Sequence, residues 1–304
     1  MTIAFIHDHL SFLPEIEAYQ AFFSQKGFTT MVLDFKEWKN SPAKIDVEWM
    51  LMGTDISKRT SAARIHEYAS SSAPPFMKLK NRFKSIFNTK PDFRLFLNEY
   101  VRQSFRFSDT IPYGIRDMGI DPGLRIESHT EKKYDFIYTG SVKADRKVTD
   151  LLNRFIQKDL SSRTLLILSR DYEYIANEYR NYSNIMFRGP VSKQEVANYL
   201  SESRFAINYI PDHEPYNKQT STKFLEYQQF NLPVITTDYP WLHEFEHKYG
   251  GKFFKIDPSL KKLNWEELLS FPFRSGDLSK WSWDKQIEES GVLTWLQEKM
   301  RPKE

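Results

Sequence analysis

The residues best suited to chemistry stand just after short apolar runs. Gly140-Ser141 follows the run 134–138, with Lys143, Arg146 and Lys147 close behind. Glycine lets a backbone approach a phosphate closely, and cations at that place can neutralise one. Thr220-Ser221-Thr222-Lys223 follows the run 205–210 and opens a segment that carries Glu226. A helix starting there offers free amide hydrogens beside a lysine in its first turn, which suits a diphosphate. Glu226, one turn further on, can accept hydrogen bonds from two ribose hydroxyls. His7-Asp8-His9 and His66-Glu67 end two further apolar runs. Plain readings stand beside these: a glycine after a strand is often only a turn, Arg146 a solvated helix residue, and His66 a core histidine with a satisfied hydrogen bond.

One motif points elsewhere. His243-Glu244-Phe-Glu-His247 satisfies His-Glu-x-x-His, in which two histidines one helical turn apart bind zinc and the glutamate activates water. Glu266 or Glu267 stands at the distance of a third ligand. That chemistry needs a long buried helix, whereas Pro240 starts this one and Gly250-Gly251 ends it. The zinc metallopeptidase is therefore a remote alternative.

Positioning these residues requires strands that alternate with helices. Residues 2–6, 29–35, 47–52 and 64–68 read as strands, and Pro14 opens a helix that Gly27 closes. The stretch 69–108 is polar, basic and helical in pattern. Turn residues without periodicity fill 117–133, which suits a linker. A second alternation follows, with strands at 134–138, 164–168, 184–187, 205–210 and 233–237 and helices at 148–156 and 222–230. Ser192-Lys-Gln-Glu195 is a capping box. An amphipathic helix over 285–300 closes the chain. The expectation is α/β: two doubly wound, Rossmann-like domains facing across a cleft, an N-terminal domain over 1–127, a C-terminal domain over 128–280, and a last helix, 281–304, returning to the first.

Composition narrows the class. The 304 residues include no cysteine, which removes disulfides, thiolate metal sites and a cysteine nucleophile. A net charge of +3 implies no nucleic-acid partner. The first residues carry no basic, apolar leader, and no run of apolar residues is long enough to span a membrane. No Asp-x-Asp pair, Walker loop or Gly-x-Gly-x-x-Gly is present. Residues 76–87 interleave Met77, Leu79, Phe83, Ile86 and Phe87 with four cations. That pattern suits an anionic membrane surface; the plain reading, which it suits better, is an ordinary helix packed on the N-terminal domain with a solvated basic face.

Tyr138-Thr-Gly-Ser141, Phe187-Arg-Gly-Pro-Val191, Lys223-Phe-Leu-Glu-Tyr227 and Leu232-Pro-Val-Ile235 together resemble the donor half of GT-B glycosyltransferases, in the manner of family four, over roughly 134–250. The resemblance implies retaining transfer from a nucleoside-diphosphate sugar as co-substrate, with no cofactor and no bound metal. Gly140, Ser141, Arg146 and Lys223 would face the diphosphate, the last two as catalytic cations, with Ser221 and Thr222 at the same helix start. Ser169 and Arg188, Gly189 and Val191 would hold the base, and Glu226 the ribose. On the acceptor side the resemblance implies His7, Asp8 and His66, with His66 near the reaction. The partners would be the donor and a saccharide or lipid-linked acceptor, in a bacterial surface-polysaccharide or glycolipid pathway. The enzyme would be cytoplasmic, or peripheral on the inner face of the membrane. One departure concerns the first of two glutamates usual in the family. With seven residues between it and Glu226, that position is Lys218 rather than a carboxylate, and Glu214 lies four residues too early. A binding protein that keeps the fold without turnover is the alternative this departure leaves open.

Overall fold

Runs of three to six residues rich in branched and aromatic side chains become strands, and the inner strands of each sheet are buried on both faces, as parallel sheets favour. The computed structural model describes residues 1–8, 13–51, 53–124, 131–157, 159–257, 260 and 263–300. His9 and Met52 lie outside the described residues. The chain divides into two compact units, Met1–Gly119 with Lys280–Glu304, and Ile120–Ser279.

The first unit runs β1 (Thr2–Ile6), α1 (Pro14–Gln25), β2 (Thr29–Leu33), α2 (Phe35–Asn40), β3 (Val47–Leu51), β4 (Ala63–Tyr68), α3 (Met77–Phe87), β5 (Phe93–Phe96), α4 (Glu99–Phe105) and β6 (Tyr113–Ile115). The second runs β7 (Tyr134–Thr139), α5 (Val148–Phe155), β8 (Leu165–Leu168), α6 (Glu173–Ala176), β9 (Ile185–Arg188), α7 (Lys193–Ser201), β10 (Ser203–Asn208), α8 (Thr222–Gln229), β11 (Val234–Thr237), α9 (Pro240–Tyr249), β12 (Phe254–Ile256) and α10 (Trp265–Ser270). α11 (Trp283–Glu289) and α12 (Val292–Met300) close the chain.

Each unit holds one six-stranded sheet, ordered β2-β1-β3-β4-β5-β6 and β12-β11-β10-β7-β8-β9. Every pairing in both sheets is parallel. In the second sheet the chain moves outward from β7 through β8 to β9, then returns to β7's other side as β10. Strand order therefore reverses between β7 and β10. At such a point the loops leaving the two strands diverge and open a crevice at their carboxyl ends.

Several elements differ from the sequence expectation. The stretch read as helical over 69–108 contains β5, a four-residue run too short to show a period. α2 breaks what reads as one strand over 29–35, because Asp34 and Glu37 form a capping box. The single closing helix is two helices, parted at Ser290-Gly291, where Gly291 takes φ +74°. Ile287, Val292, Trp295 and Leu296 from these helices lie in the first unit's core with Phe5, Trp49 and Leu95. A β-carbon at Gly114 would collide with the Ser290 carbonyl, so close backbone approach fixes where the chain returns. The division between units falls at 119/120 rather than 127/128, since Gln229 donates to the carbonyls of Asp121 and Leu124 and holds that segment to the second unit.

A buried charge cluster fixes the carboxyl ends of the first sheet. Glu67, near the end of β4, is paired with Arg116, just past β6, and both are about 1% exposed. Trp49 Nε1 and Tyr19 Oη donate to the same carboxylate at 2.7 and 3.0 Å. Glu15 lies 3.6 Å from Arg116, and burial raises its pKa. Removing one partner of a buried pair strands the other charge, at a cost of about 3–5 kcal/mol. We expect Arg116→Met to lose stability of that order in urea unfolding, and Glu67→Gln added to it to recover a good part. Equal unfolding midpoints for wild type and Arg116→Met would show the cluster to be energetically neutral.

Candidate functional site

The site builds up from the carboxyl ends of β7 and β10. Thr139 ends β7, and Tyr227 of α8 binds it twice: the Thr139 amide donates to the Tyr227 hydroxyl at 2.9 Å, and the two hydroxyls lie 3.0 Å apart. This buried contact places α8 against the end of β7. Ser221 caps α8, accepting from the Phe224 amide and donating to Asn208 at 2.7 Å. The Thr222 and Lys223 amides, in the first turn, have no acceptor within the helix. Ser221 is thus spent on positioning the helix start, and Thr222 and Lys223 present it.

Gly140 follows Thr139 with φ +120°, a conformation that favours glycine, and a β-carbon there would meet only the Tyr138 hydroxyl, at 3.9 Å. The space beside this backbone is open. Tyr138 Oη donates to the Ser141 carbonyl at 2.9 Å and holds the turn. Lys223 Nζ lies 4.2 Å above the Tyr138 ring and donates to the Tyr209 carbonyl at 3.2 Å. Arg146 lies 4.0 Å over the Tyr216 ring, and Tyr216 Oη donates to Asp145 at 2.6 Å. Among the described residues, neither Lys223 nor Arg146 has a carboxylate at ion-pair distance. Gly140, Ser141 and Lys223 therefore gather around Tyr138, and the charge of Arg146 acts on both Tyr138 and Lys223.

Burial lowers Lys223 from 10.5 to about 7, the charge of Arg146 adds to the shift, and Glu226 opposes it. Burial raises Glu226 from 4.5 to about 7, against Lys193 and Lys223. Glu226 is half-buried and accepts no hydrogen bond from any described residue, so its acceptor capacity is unspent. Lys193, which the sequence reading missed, begins α7, and its charge acts on Glu226.

The loops after β8 and β9 carry the other expected residues. Gly189 takes φ +136° and packs so closely on the Ser169 backbone that a β-carbon would strike its carbonyl. Ser169 is buried, Val191 half-buried, and Arg188 exposed with Nη1 on the Phe187 carbonyl at 2.8 Å. The structure thus places Ser169 and Gly189 together and turns the Arg188 side chain back on its own strand. Glu214 is exposed and Lys218 half-buried in a turn of 3-10 helix, Tyr216–Lys218. Tyr216 and Asp145 were also missed. The signal available was the Glu-Pro-Tyr sequence itself, read for its glutamate rather than its ring.

In the first unit the expectation for His66 is corrected. It lies within β4 rather than at its end and is 0% exposed, with Nε2 3.0 Å from Asp55 and Nδ1 3.4 Å from Tyr68 Oη. Burial lowers its pKa, with Asp55 acting against the shift. Burial works against Asp55's charge as well, yet bonds from His66 and Ser57 hold its carboxyl below the usual range. His66 is a core histidine, sealed from any acceptor in this structure. His7 is buried just after β1, and Asp8 is exposed.

The His243-Glu244-x-x-His247 motif lies on α9, whose buried face is Trp241, Leu242 and Phe245. His243, Glu244 and His247 are all exposed, and His243 pairs with Asp238. Among the described residues no group of three or more His, Asp or Glu side chains could hold a metal ion.

The charge shifts of Lys223 and Glu226 make a prediction for the free protein. Between pH 4.5 and 7 the unfolded chain has lost the Glu226 proton and the folded chain keeps it, so stability falls as pH rises. Between pH 7 and 10.5 the unfolded chain keeps the Lys223 proton and the folded chain has lost it, so stability rises with pH. The pair's contribution is lowest near neutrality. In a profile of Tm against pH, Glu226→Gln should remove the acidic limb and Lys223→Met the alkaline one. Superimposable profile shapes for all three proteins would refute the shifts.

No family model matches the chain, and no curated protein matches it by sequence. Solved structures match its fold. Sucrose-phosphate synthase from Thermosynechococcus elongatus is similar at a TM-score of 0.64 and 10% identity, over 99% of this chain and 100% of that one. AviGT4, a glycosyltransferase involved in avilamycin A biosynthesis, is similar at 0.58 and 13%, over 98% and 95%. A putative UDP-N-acetylglucosamine 2-epimerase from Listeria monocytogenes is similar at 0.50 and 11%, over 100% and 98%. At these identities the likeness shows the fold, which is that of GT-B proteins: two Rossmann-like domains, each built on a parallel sheet.

Proposed function

We propose that the chain is a glycosyltransferase that binds a nucleoside-diphosphate sugar on its second unit and passes the sugar to a saccharide or lipid-linked acceptor. The observation that carries this reading is the pair of cations, Lys223 and Arg146, held near one another at the β7–β10 reversal with no carboxylate partner among the described residues. Two neighbouring unpaired cations are unfavourable until an anion joins them. A diphosphate supplies that anion, and the α8 start and the open backbone at Gly140 accept its oxygens. Glu226 then binds the ribose hydroxyls, and the Ser169–Gly189 contact forms a wall for the base.

In the reaction, the acceptor hydroxyl oxygen bonds to the anomeric carbon as the bond from that carbon to the diphosphate oxygen breaks. The hydroxyl proton passes to the departing phosphate, and the products are a glycoside and a nucleoside diphosphate. Lys223 and Arg146 stabilise the charge that grows on the leaving oxygens. The resemblance to family four supports attack on the face the diphosphate leaves, hence retention, and a hexosyl transfer needing no metal. It also supports a place in bacterial surface-polysaccharide or glycolipid synthesis in the cytoplasm. Lys218 in the first-glutamate position favours a second reading, a binding protein without turnover, and a putative epimerase is among the structures that share the fold.

Thermal shift with UDP, GDP, ADP and CMP tests the donor site. One nucleotide at a hundredfold excess over its Kd should add about 2.7 kcal/mol of stability. Lys223→Ala should lose that shift and lower turnover of the matching sugar nucleotide by on the order of 10²-fold. Stabilisation by none of the four removes the donor site, whereas stabilisation with neither transfer nor hydrolysis establishes the binding protein. Recovery of an epimerised sugar nucleotide assigns the epimerase.

A further inference from the structure

The helix α3 is built inside out. Its most buried residue is Asn81, which is 0% exposed. The Asn81 amide donates to Ser71 Oγ at 2.8 Å and to Ser104 Oγ at 3.2 Å, while its carbonyl accepts from the Ser72 amide at 3.0 Å. Polar bonds therefore dock this helix on its unit. Apart from Met77, its large apolar side chains face the other way, together with Phe76 just ahead of the helix: Phe76 is 74% exposed, Leu79 69%, Phe83 50%, Ile86 56% and Phe87 58%. Those five are half of the large apolar residues that the described chain exposes, and they fall in one twelve-residue stretch. Phe76 is held at φ +64°, where bulky residues are strained, and its ring still points to solvent.

The pattern around the helix is ordered. At about 100° per residue, the five apolar positions cover one arc of roughly 100°. Lys78 and Arg82 border this arc on one side, Lys80 and Lys84 on the other. No carboxylate occurs between Glu67 and Asp92, where the cations are Lys78, Lys80, Arg82, Lys84 and Lys90. A soluble helix with these contacts has no reason to keep three phenylalanines in water. An apolar stripe flanked by cations on both edges matches a surface of acyl chains beneath anionic headgroups.

We propose that α3 is a docking surface for an anionic phospholipid bilayer, with the apolar arc entering the headgroup boundary and the flanking cations meeting phosphates. The inference stands on α3 alone and holds whether or not the second unit binds a sugar nucleotide. Among the described residues no helix is long and apolar enough to cross a membrane, so the contact lies at the surface. A second copy of the chain fits this face poorly, because pairing two such helices would bring eight cations together without a carboxylate from either helix.

The test is co-sedimentation of the full chain with vesicles of phosphatidylcholine alone, and of phosphatidylcholine with phosphatidylglycerol. Binding should require the anionic lipid and weaken steeply between low and high salt. Leu79→Ser with Phe83→Ser should lower partitioning at least tenfold, and so should Lys78→Glu with Arg82→Glu. All four side chains are exposed, so thermal midpoints should match wild type and show that the fold is retained. No vesicle binding by wild type, or binding that both double variants leave intact, overturns the proposal. So does a concentration-dependent dimer, seen by sedimentation velocity, that Leu79→Ser with Phe83→Ser dissolves, since the face then belongs to a second copy.

Discussion

An ammonium set into protein without a carboxylate is costly, and the second unit is arranged around one. Among the described residues Lys223 keeps only a carbonyl, that of Tyr209, and the face of the Tyr138 ring. A cation over an aromatic face gains about 0.5–2 kcal/mol, which does not replace lost water, and its pKa falls toward neutrality accordingly. Such an arrangement persists only when the surrounding structure imposes it. Here the imposition comes from buried contacts elsewhere: Tyr227 locked to Thr139, and Ser221 locked to Asn208. The helix start and the strand end are fixed to each other before Lys223 is placed, so the lysine has nowhere more favourable to go.

The parallel sheet explains why these parts meet. Parallel strands deliver all their carboxyl ends to one side, and reversal of strand order leaves the loops after β7 and β10 uncovered by a crossover between them. Tyr138 and Lys223 are far apart in sequence and in contact in this geometry. After β9, the charge of Lys193 acts on Glu226. Three loops leaving one sheet thus supply the open backbone, the cations and the unspent carboxylate.

Much of this was legible in the chain, for an identifiable reason. Strands buried on both faces are continuous apolar runs, so their ends, and the residues after them, can be read directly: Gly140, Arg146, Lys223 and Glu226 all follow such ends. What failed was whatever long-range partners decide. Ala63–Tyr68 carries Arg64, His66 and Glu67 and is buried almost throughout, because Glu48, Asp55 and Arg116 neutralise those charges from elsewhere in the chain. No local pattern announces that, and His66 therefore read as a strand-end residue open to a ligand. β5 was hidden likewise, since Arg94 within it is paired with Asp109 from outside the strand.

The loop before α8 shows how the same residues can be read for the wrong atom. Its glutamate falls at the wrong spacing for the family pattern, and Glu214 is exposed. What the loop contributes instead is Tyr216, whose ring covers one face of the Arg146 guanidinium and whose hydroxyl is tied to Asp145 next door. A guanidinium covered on its face keeps all its N–H donors in the plane, directed outward from the edge. Tyr216 thereby fixes the plane in which Arg146 can bind an anion and leaves its charge uncancelled, a role that a carboxylate in the same position, by pairing with the arginine, would defeat.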